Sequence, residues 1–414
     1  MSERETYYDH FPTPLADPDD PGVPPRPVAT PASVRERLAT LRAAGSRRLA
    51  VLDTHFPWQL SGFRFHEFSE ILRQRPDTLF FSLYGMTEDF PAPVYRLADF
   101  PRLAPRLGVT DVYFVFLNFA VGLLGMTGAP GAGTVAGVRG DIALDDVFRE
   151  HAMRVHVTLY PGGGLLPDTP VELLQAVDAR ADTVFTNVAE VTDALPGSIF
   201  SHAVTGTRFY TPAERPARDV LRLVFAGDDR PRKGLPTLID AWNRLGDGFH
   251  LDLVGPHRRH LPRITKPDYT WHGWTTPAEL RDIYHGADVF VSPVTTDTFS
   301  DEKSEPGTVD GFPTSTAVDA MATGICLVTS NPRQEHRVVR PAEHYVEIPE
   351  RDPEALAAVL TELRDDRAAR LAVAERGMRR IRETMAVELG VAGKLRAMGL
   401  AAGASDGGDE PGGG

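Results

Sequence analysis

Ten short runs rich in β-branched and aromatic residues, each followed by a longer stretch of helical period, leave this chain little choice of fold. Five lie in the first half: R-L-A-V-L-D-T (48–54), T-L-F-F-S-L-Y (78–84), D-V-Y-F-V-F-L-N-F (111–119), R-V-H-V-T-L-Y (154–160) and T-V-F-T-N-V (183–188). Five more follow: L-R-L-V-F-A-G (221–227), F-H-L-D-L-V-G (249–255), A-D-V-F-V-S-P (287–293), I-C-L-V-T-S (325–330) and H-Y-V-E-I (344–348). Strands that alternate with helices form parallel βαβ units, so the pattern predicts two α/β domains, each doubly wound and Rossmann-like. The Pro- and turn-rich stretch 205–219 reads as the linker between a first domain over 33–204 and a second over 220–385, with a closing helix over 386–400. Residues 1–32 and 401–414, rich in Pro, Asp and Gly, have no apolar period and are expected to lack fixed structure.

Two sheets of this kind bind ligands at the carboxyl ends of their strands, so a ligand is expected in the cleft between the domains. The composition narrows what that ligand can be. Of 414 residues, 57 are Asp or Glu and 44 Lys or Arg, and the net charge of −13 opposes a general nucleic-acid role. The one cysteine, Cys326, lies in the apolar run I-C-L-V and reads as core, which suits a reducing cytoplasm. No apolar run approaches the ~20 residues that span a bilayer, so no integral membrane association is expected. The helix expected over 33–48 carries Arg35, Arg37, Arg42, Arg47 and Arg48 and reads as a solvated surface helix.

The strand ends hold the candidate chemistry. F-A-G-D-D-R-P-R-K-G-L-P-T-L-I-D-A-W (225–242) takes a buried strand through a charged turn into a helix, which brings Arg230, Arg232 and Lys233 toward an anion. In D-G-F-P-T-S-T-A-V-D-A-M-A-T-G (310–324), Thr314, Ser315 and Thr316 are N-cap residues, and the free N–H groups of such a helix start can hold phosphate oxygens. Asp319 follows one turn later, and Asp310 with Gly311 precedes the helix.

These segments, in this order, resemble the donor domain of GT-B glycosyltransferases of the family-four, glycogen-synthase-like superfamily. The similarity rests on R-K-G (232–234), W-H-G-W-T-T-P-A-E-L-R-D-I-Y-H-G-A-D-V-F-V-S-P (271–293) and the 310–324 segment, and covers about 204 to 384. The resemblance implies a GT-B fold and retaining transfer of a sugar from a nucleotide diphosphate, with that nucleotide sugar as co-substrate and no resident cofactor. It implies that Lys233 binds the donor diphosphate, that N–H groups around Thr314 to Thr316 hold the phosphates, and that Asp319 binds the ribose hydroxyls. It further implies that Asp310 lies beside the transferred sugar and that Gly273 and Trp274 border the base. The chain departs from the family pattern twice. Eight residues rather than seven separate its two acids, and Asp228 replaces an arginine, a role that passes to Arg230.

In the first half, Ser61 and Gly62 of Q-L-S-G-F-R-F-H-E-F (59–68) match the family's glycine loop, and Asn118 ends a strand where the family often has a histidine near the reaction centre. Arg64, His66 and Glu67 read as solvated or cap-related, while Gly162 to Gly164 let backbone approach a ligand closely. The glycine-rich stretch 122–140 contains G-A-G-T-V-A without the preceding strand a dinucleotide site requires, and reads as a mobile lid. Asp297, Asp301, Glu302 and Glu305 make 295–310 an acidic loop that would favour a cationic or hydroxyl-rich acceptor such as an aminocyclitol. The only D-x-D pair, Asp17 and Asp19, lies in the Pro-rich N-terminal segment, so no metal-dependent transfer is expected.

The expectation is a metal-independent, retaining glycosyltransferase acting on a hydroxylated small molecule, including natural products, or on a saccharide. The alternatives are a non-catalytic sugar- or nucleotide-binding subunit on the same fold and a nucleotide-sugar epimerase.

Overall fold

The computed structural model describes residues 47–58, 62–84, 90–166, 168–296 and 311–401. The segments 1–32 and 402–414, all but Arg47 and Arg48 of the 33–48 helix, Ser61, the acidic loop from Asp297 and the catalytic candidate Asp310 lie outside the described residues.

Among the described residues thirteen strands form two sheets, and every pairing is parallel. The first sheet has the order β3-β2-β1-β4-β5-β6-β7. Its strands are β1 (Leu49–His55), β2 (Leu79–Tyr84), β3 (Val94–Arg96), β4 (Asp111–Val115), β5 (Arg154–Leu159), β6 (Thr183–Thr186) and β7 (Ile199–Phe200). The second has the order β10-β9-β8-β11-β12-β13. It comprises β8 (Leu221–Ala226), β9 (Phe249–Val254), β10 (Tyr269–Gly273), β11 (Val289–Ser292), β12 (Cys326–Thr329) and β13 (Val346–Glu347). Sheets covered on both faces need apolar residues at successive positions, and the unbroken burial of Asp111–Val115 and Val289–Ser292 shows this. Cys326 packs in the core, its thiol pushed up to about 12 by burial.

The sequence reading missed β3, β7 and β10, which are short or half-exposed edge strands with little apolar signal. It also overran β4. The strand stops at Val115, and a helix over Leu117–Leu123 begins at once, so Asn118 sits in a first helical turn and not at a strand end.

In both sheets the strand order reverses direction from the first strand, between β1 and β4 and between β8 and β11, and a crevice opens at such switch points. The two crevices face each other. The chain crosses between domains twice, side by side: Thr205 N–H donates to Met385 O (2.9 Å) and Val387 N–H to Thr205 O (3.0 Å). After the second crossing, the helix Val387–Ala397 packs on the first domain, where Val387, Val391 and Leu395 join Val51, Phe68 and Tyr113 in one core.

That docking contains a buried charge pair. Lys394 Nζ donates to Glu67 Oε1 (2.7 Å), Tyr113 Oη (2.8 Å), Tyr160 Oη (3.0 Å) and Thr158 Oγ1 (3.2 Å). Glu67 is thus a core residue rather than a solvated one, and its helix companions are also engaged. Arg64 reaches both oxygens of Asp53 (2.8 and 3.0 Å), and His66 packs on Phe209 and Tyr210 of the interdomain connection. Burial holds the His66 imidazole down to about 4 and so keeps it neutral. Arg47 and Arg48 are not helical: Arg47 pairs with Asp111, and the Arg48 guanidinium donates to Leu107 O.

Truncating one member of the Lys394–Glu67 pair strands the other charge in an apolar site. Lys394→Ala is expected to lose about 3–5 kcal/mol of unfolding free energy in urea, whereas the double change Lys394→Met, Glu67→Leu recovers most of the loss.

Candidate active site

The cleft between the two switch points has a volume of about 580 Å³. Its second-domain wall starts at β8, which ends at Ala226 and passes through Asp228 and Arg230 into a single 3₁₀ turn over Pro231–Lys233. Asp228 organises this turn. Its carboxylate accepts from the Arg230 N–H (3.1 Å) and pairs loosely with the Arg230 guanidinium (3.5 Å). The turn is then clamped to β11 across the switch point, where Thr295 N–H donates to Arg232 O (2.8 Å).

Gly234 makes the clamp possible. It closes the turn at φ 69° and presses against the chain after β11 so tightly that a Cβ would lie 1.7 Å from Pro293 O. Only glycine fits there. The result is that Arg230, Arg232 and Lys233 all line the cleft.

Beside them the helix Ser315–Ala322 begins. Thr314 is its N-cap, accepting from the Ala317 N–H (3.4 Å), and both Thr314 and Ser315 line the cleft, so the positive end of the helix dipole faces it. Thr316 lies one position further, with its hydroxyl 3.4 Å from that of Thr314. Cations and a helix N-terminus on one wall make a site for an anion of the diphosphate kind.

The first-domain wall is uncharged. Asn118 lines it, its N–H donating to Gly163 O (2.8 Å), and Gly162, Gly163 and Gly164 bring backbone into the cleft with φ of 91°, 56° and 82°. A Cβ at Gly163 would collide with the Phe116 side chain at 2.3 Å, which explains the glycine run. Phe63 and Tyr160 meet edge to face at 5.1 Å on this wall. The glycine-rich stretch contributes Ala136 and Gly137, but it is packed: Leu123, Leu124, Ala132 and Val135 are buried in the first-domain core. It forms a fixed wall and not the open lid its composition suggests.

Five expected residues, Gly62, Gly273, Trp274, Thr316 and Asp319, are not among those lining these walls. Gly62 caps the helix Phe63–Gln74, and it is Phe63 that reaches the cleft. Trp274 follows β10 and is half-buried outside the lining. Asp319, expected at the ribose, sits one helical turn inside the wall on the face turned to the interdomain connection. It is buried and accepts a hydrogen bond from Thr205 Oγ1 (2.6 Å). Burial raises its carboxyl from 3.8 to about 7 against the opposing pull of Thr205.

Several lining residues escaped the sequence reading, Phe63, Ala203 and Asn187 among them. Asn187 follows β6, and its side-chain Oδ1 is buried without a hydrogen-bond partner. Its available signal was position alone, directly after a strand run. Among the described residues no group of three or more His, Cys, Asp or Glu is placed to hold a metal ion.

Residues 221–366 match the family model described as "Glycosyl transferases group 1". The chain has the GT-B fold, which is the fold of solved glycosyltransferases. Solved structures across its length carry that fold. HepE of Anabaena, solved with UDP, superposes with a TM-score of 0.62 at 13% identity, covering 85% of this chain and 99% of HepE. The sucrose-phosphate synthase of Thermosynechococcus elongatus gives 0.58 at 17% identity over 86% and 100%. An α-glucosyltransferase solved with UDP and a 13-mer DNA gives 0.57 at 12% identity over 85% and 99%. No curated protein sequence matches the chain.

The raised carboxyl of Asp319 gives this protein's stability a signed pH dependence. The folded protein keeps a proton that the unfolded chain releases near 3.8, so this group's contribution to stability falls as pH rises from about 4 and is lost above about 7. Asp319→Asn removes the effect. Its unfolding free energy relative to wild type, measured in urea at about pH 4.5, 6 and 8, is expected to rise across that series by a few kcal/mol. A difference that stays flat would mean the carboxyl titrates normally.

A second expectation concerns the clamp. Gly234→Ala cannot keep its turn, and is expected to lower stability by about 2–4 kcal/mol in denaturant unfolding and to remove the anion site with it.

Proposed function

We propose that the protein transfers a sugar from a nucleoside diphosphate donor to a hydroxyl of a small-molecule or saccharide acceptor, with retention of anomeric configuration. The observation that carries this reading is the asymmetry of the cleft. One wall presents Lys233, Arg230 and a helix N-terminus, and the other presents neutral amides and glycine backbone. A diphosphate belongs on the first wall and hydroxyl-bearing groups on the second.

The chemistry follows from charge. As the glycosidic bond breaks, its electron pair stays on the departing diphosphate oxygen, and negative charge grows there. Lys233, Arg230 and the N–H groups after Thr314 stabilise that charge most in the transition state, which is what accelerates a reaction. Fixed dipoles do this without reorganising, and the clamps at Gly234 and Thr295 hold the cations in place. The first-domain wall then holds the sugar and the incoming hydroxyl.

Structural neighbours support a nucleotide donor and leave the acceptor open. HepE was solved with UDP and with UDP-glucose, and the α-glucosyltransferase with UDP and DNA. Within the proposal, natural-product or cell-surface saccharide assembly and a cytoplasmic location go with the lone buried thiol and the acidic surface. No described helix is long and apolar enough to cross a membrane.

The test is thermal unfolding with UDP, GDP, dTDP and ADP. Ligand at one hundred times Kd adds about 2.7 kcal/mol to the native state, so the matching nucleotide is expected to raise Tm clearly. Lys233→Ala is expected to lose that shift and about a hundredfold or more in kcat/KM with the corresponding nucleotide sugar. Stabilisation without turnover on any acceptor would favour the non-catalytic binding subunit, and no stabilisation by any of the four would sink the donor site. Product anomeric configuration by NMR decides retention.

A further inference from the structure

Asn187 lines the cleft, and its side-chain carbonyl oxygen is buried without a hydrogen-bond partner. Buried acceptors are normally satisfied, so an exception at a binding surface points to a group the ligand brings. The backbone on either side of Asn187 is fixed. Thr186 Oγ1 donates to Leu159 O (2.8 Å) and accepts from the Val188 N–H (3.0 Å), while Ser201 N–H donates to Thr186 O (2.8 Å). The backbone that carries the Asn187 side chain at the end of β6 is therefore fixed.

Its position in the cleft identifies what it meets. Gly311, at the entry to the helix Ser315–Ala322, lies directly opposite: a Cβ there would be 3.2 Å from Pro161 Cγ and 3.8 Å from Asn187 Nδ2. Asn187 thus faces the point where the second domain delivers its helix N-terminus. A diphosphate held by Lys233 and that N-terminus must direct its attached group across the gap, into the space bounded by Asn118, Gly162 and Asn187. An uncharged acceptor suits a hydroxyl, whose O–H it can bind without repelling the neighbouring phosphates.

We propose that Asn187 accepts a hydrogen bond from a hydroxyl of the sugar being transferred and so sets part of the donor-sugar specificity. The inference rests on the reading of the cleft as the donor site. Sites that hydrogen-bond a substrate hydroxyl discriminate strongly against analogues that lack it, because the protein group is then left unpaired.

The experiment is calorimetric titration of the full chain with UDP and UDP-glucose, and with GDP and GDP-mannose, for wild type, Asn187→Ala and Asn187→Asp. In Asn187→Ala the diphosphate Kd is expected to stay within about twofold while the nucleotide-sugar Kd weakens by about tenfold. Asn187→Asp keeps an acceptor of the same size, so its ratio of the two affinities is expected to stay near wild type even where its charge weakens both. Equal weakening of diphosphate and nucleotide sugar in Asn187→Ala would show a structural contact with Gly311 instead, and no weakening of either would show an idle amide; both overturn the assignment. A wild-type chain that binds none of these four ligands and is stabilised by neither dTDP nor ADP overturns the donor site itself, a distinct result from binding that is indifferent to residue 187.

Discussion

The ammonium of Lys394 is the interaction on which the geometry of this protein depends. It is fully buried between two domains' worth of chain, and burial alone would push its proton off; the Glu67 carboxylate beside it pulls the other way. Such an ion is tolerated only where its hydrogen bonds are supplied, and here Glu67, Tyr113, Tyr160 and Thr158 supply them. The cost of an unpaired partner makes the docking specific: slid by one turn, the helix Val387–Ala397 would bury a lysine against hydrocarbon. Because this helix follows the second domain in sequence and packs on the first, its register fixes how far apart the two crossings at Thr205 and Ala386 can sit. The same ion also sets the cleft. Tyr160, whose ring lines it, holds its hydroxyl between Lys394 Nζ and His202 O.

How much of this could be read in the sequence follows from what each level of structure depends on. The strands were legible because a parallel sheet buried on both faces demands apolar residues at successive positions, and β1, β2, β5, β8 and β9 lie within a residue or so of the runs that announced them. Lys233, Arg230, Thr314 and Ser315 were legible for a related reason: each lies just beyond a strand or at a helix start, where topology alone decides that the residue faces the crevice. What failed was anything set by partners distant in sequence. Glu67 and Lys394 are 327 residues apart, and nothing near Glu67 marks it as other than a solvated helix carboxylate. Asp319 carries the right residue type at nearly the right spacing, but its surroundings are decided by Thr205, 114 residues away. The glycine-rich stretch misled in the opposite direction, since Leu123, Leu124, Ala132 and Val135 within it are enough to seat it in the core.

Asp319 and Asn187 together show how the cleft divides its work. A carboxylate on the diphosphate wall would oppose the charge that Lys233 and Arg230 gather there. The one acid that the helix Ser315–Ala322 carries is instead turned inward, held toward its neutral form by burial, and tied to the hinge through Thr205. Of the acids in the turn, Asp228 is occupied with the Arg230 N–H and orders the segment that carries the cations, and Asp229 pairs with Arg259 (3.2 Å). The described residues that line this wall therefore include cations and no carboxylate, although the chain as a whole is acidic. On the facing wall no cation is needed, because hydroxyls are recognised by direction and not by charge. Neutral amides on short, backbone-fixed segments after β4 and β6 supply direction, and the glycine turn after β5 lets the ligand come close enough to use it. The two walls differ in what they can bind because each was built from a different kind of strand end, charged turn and dipole on one side, amide and bare backbone on the other.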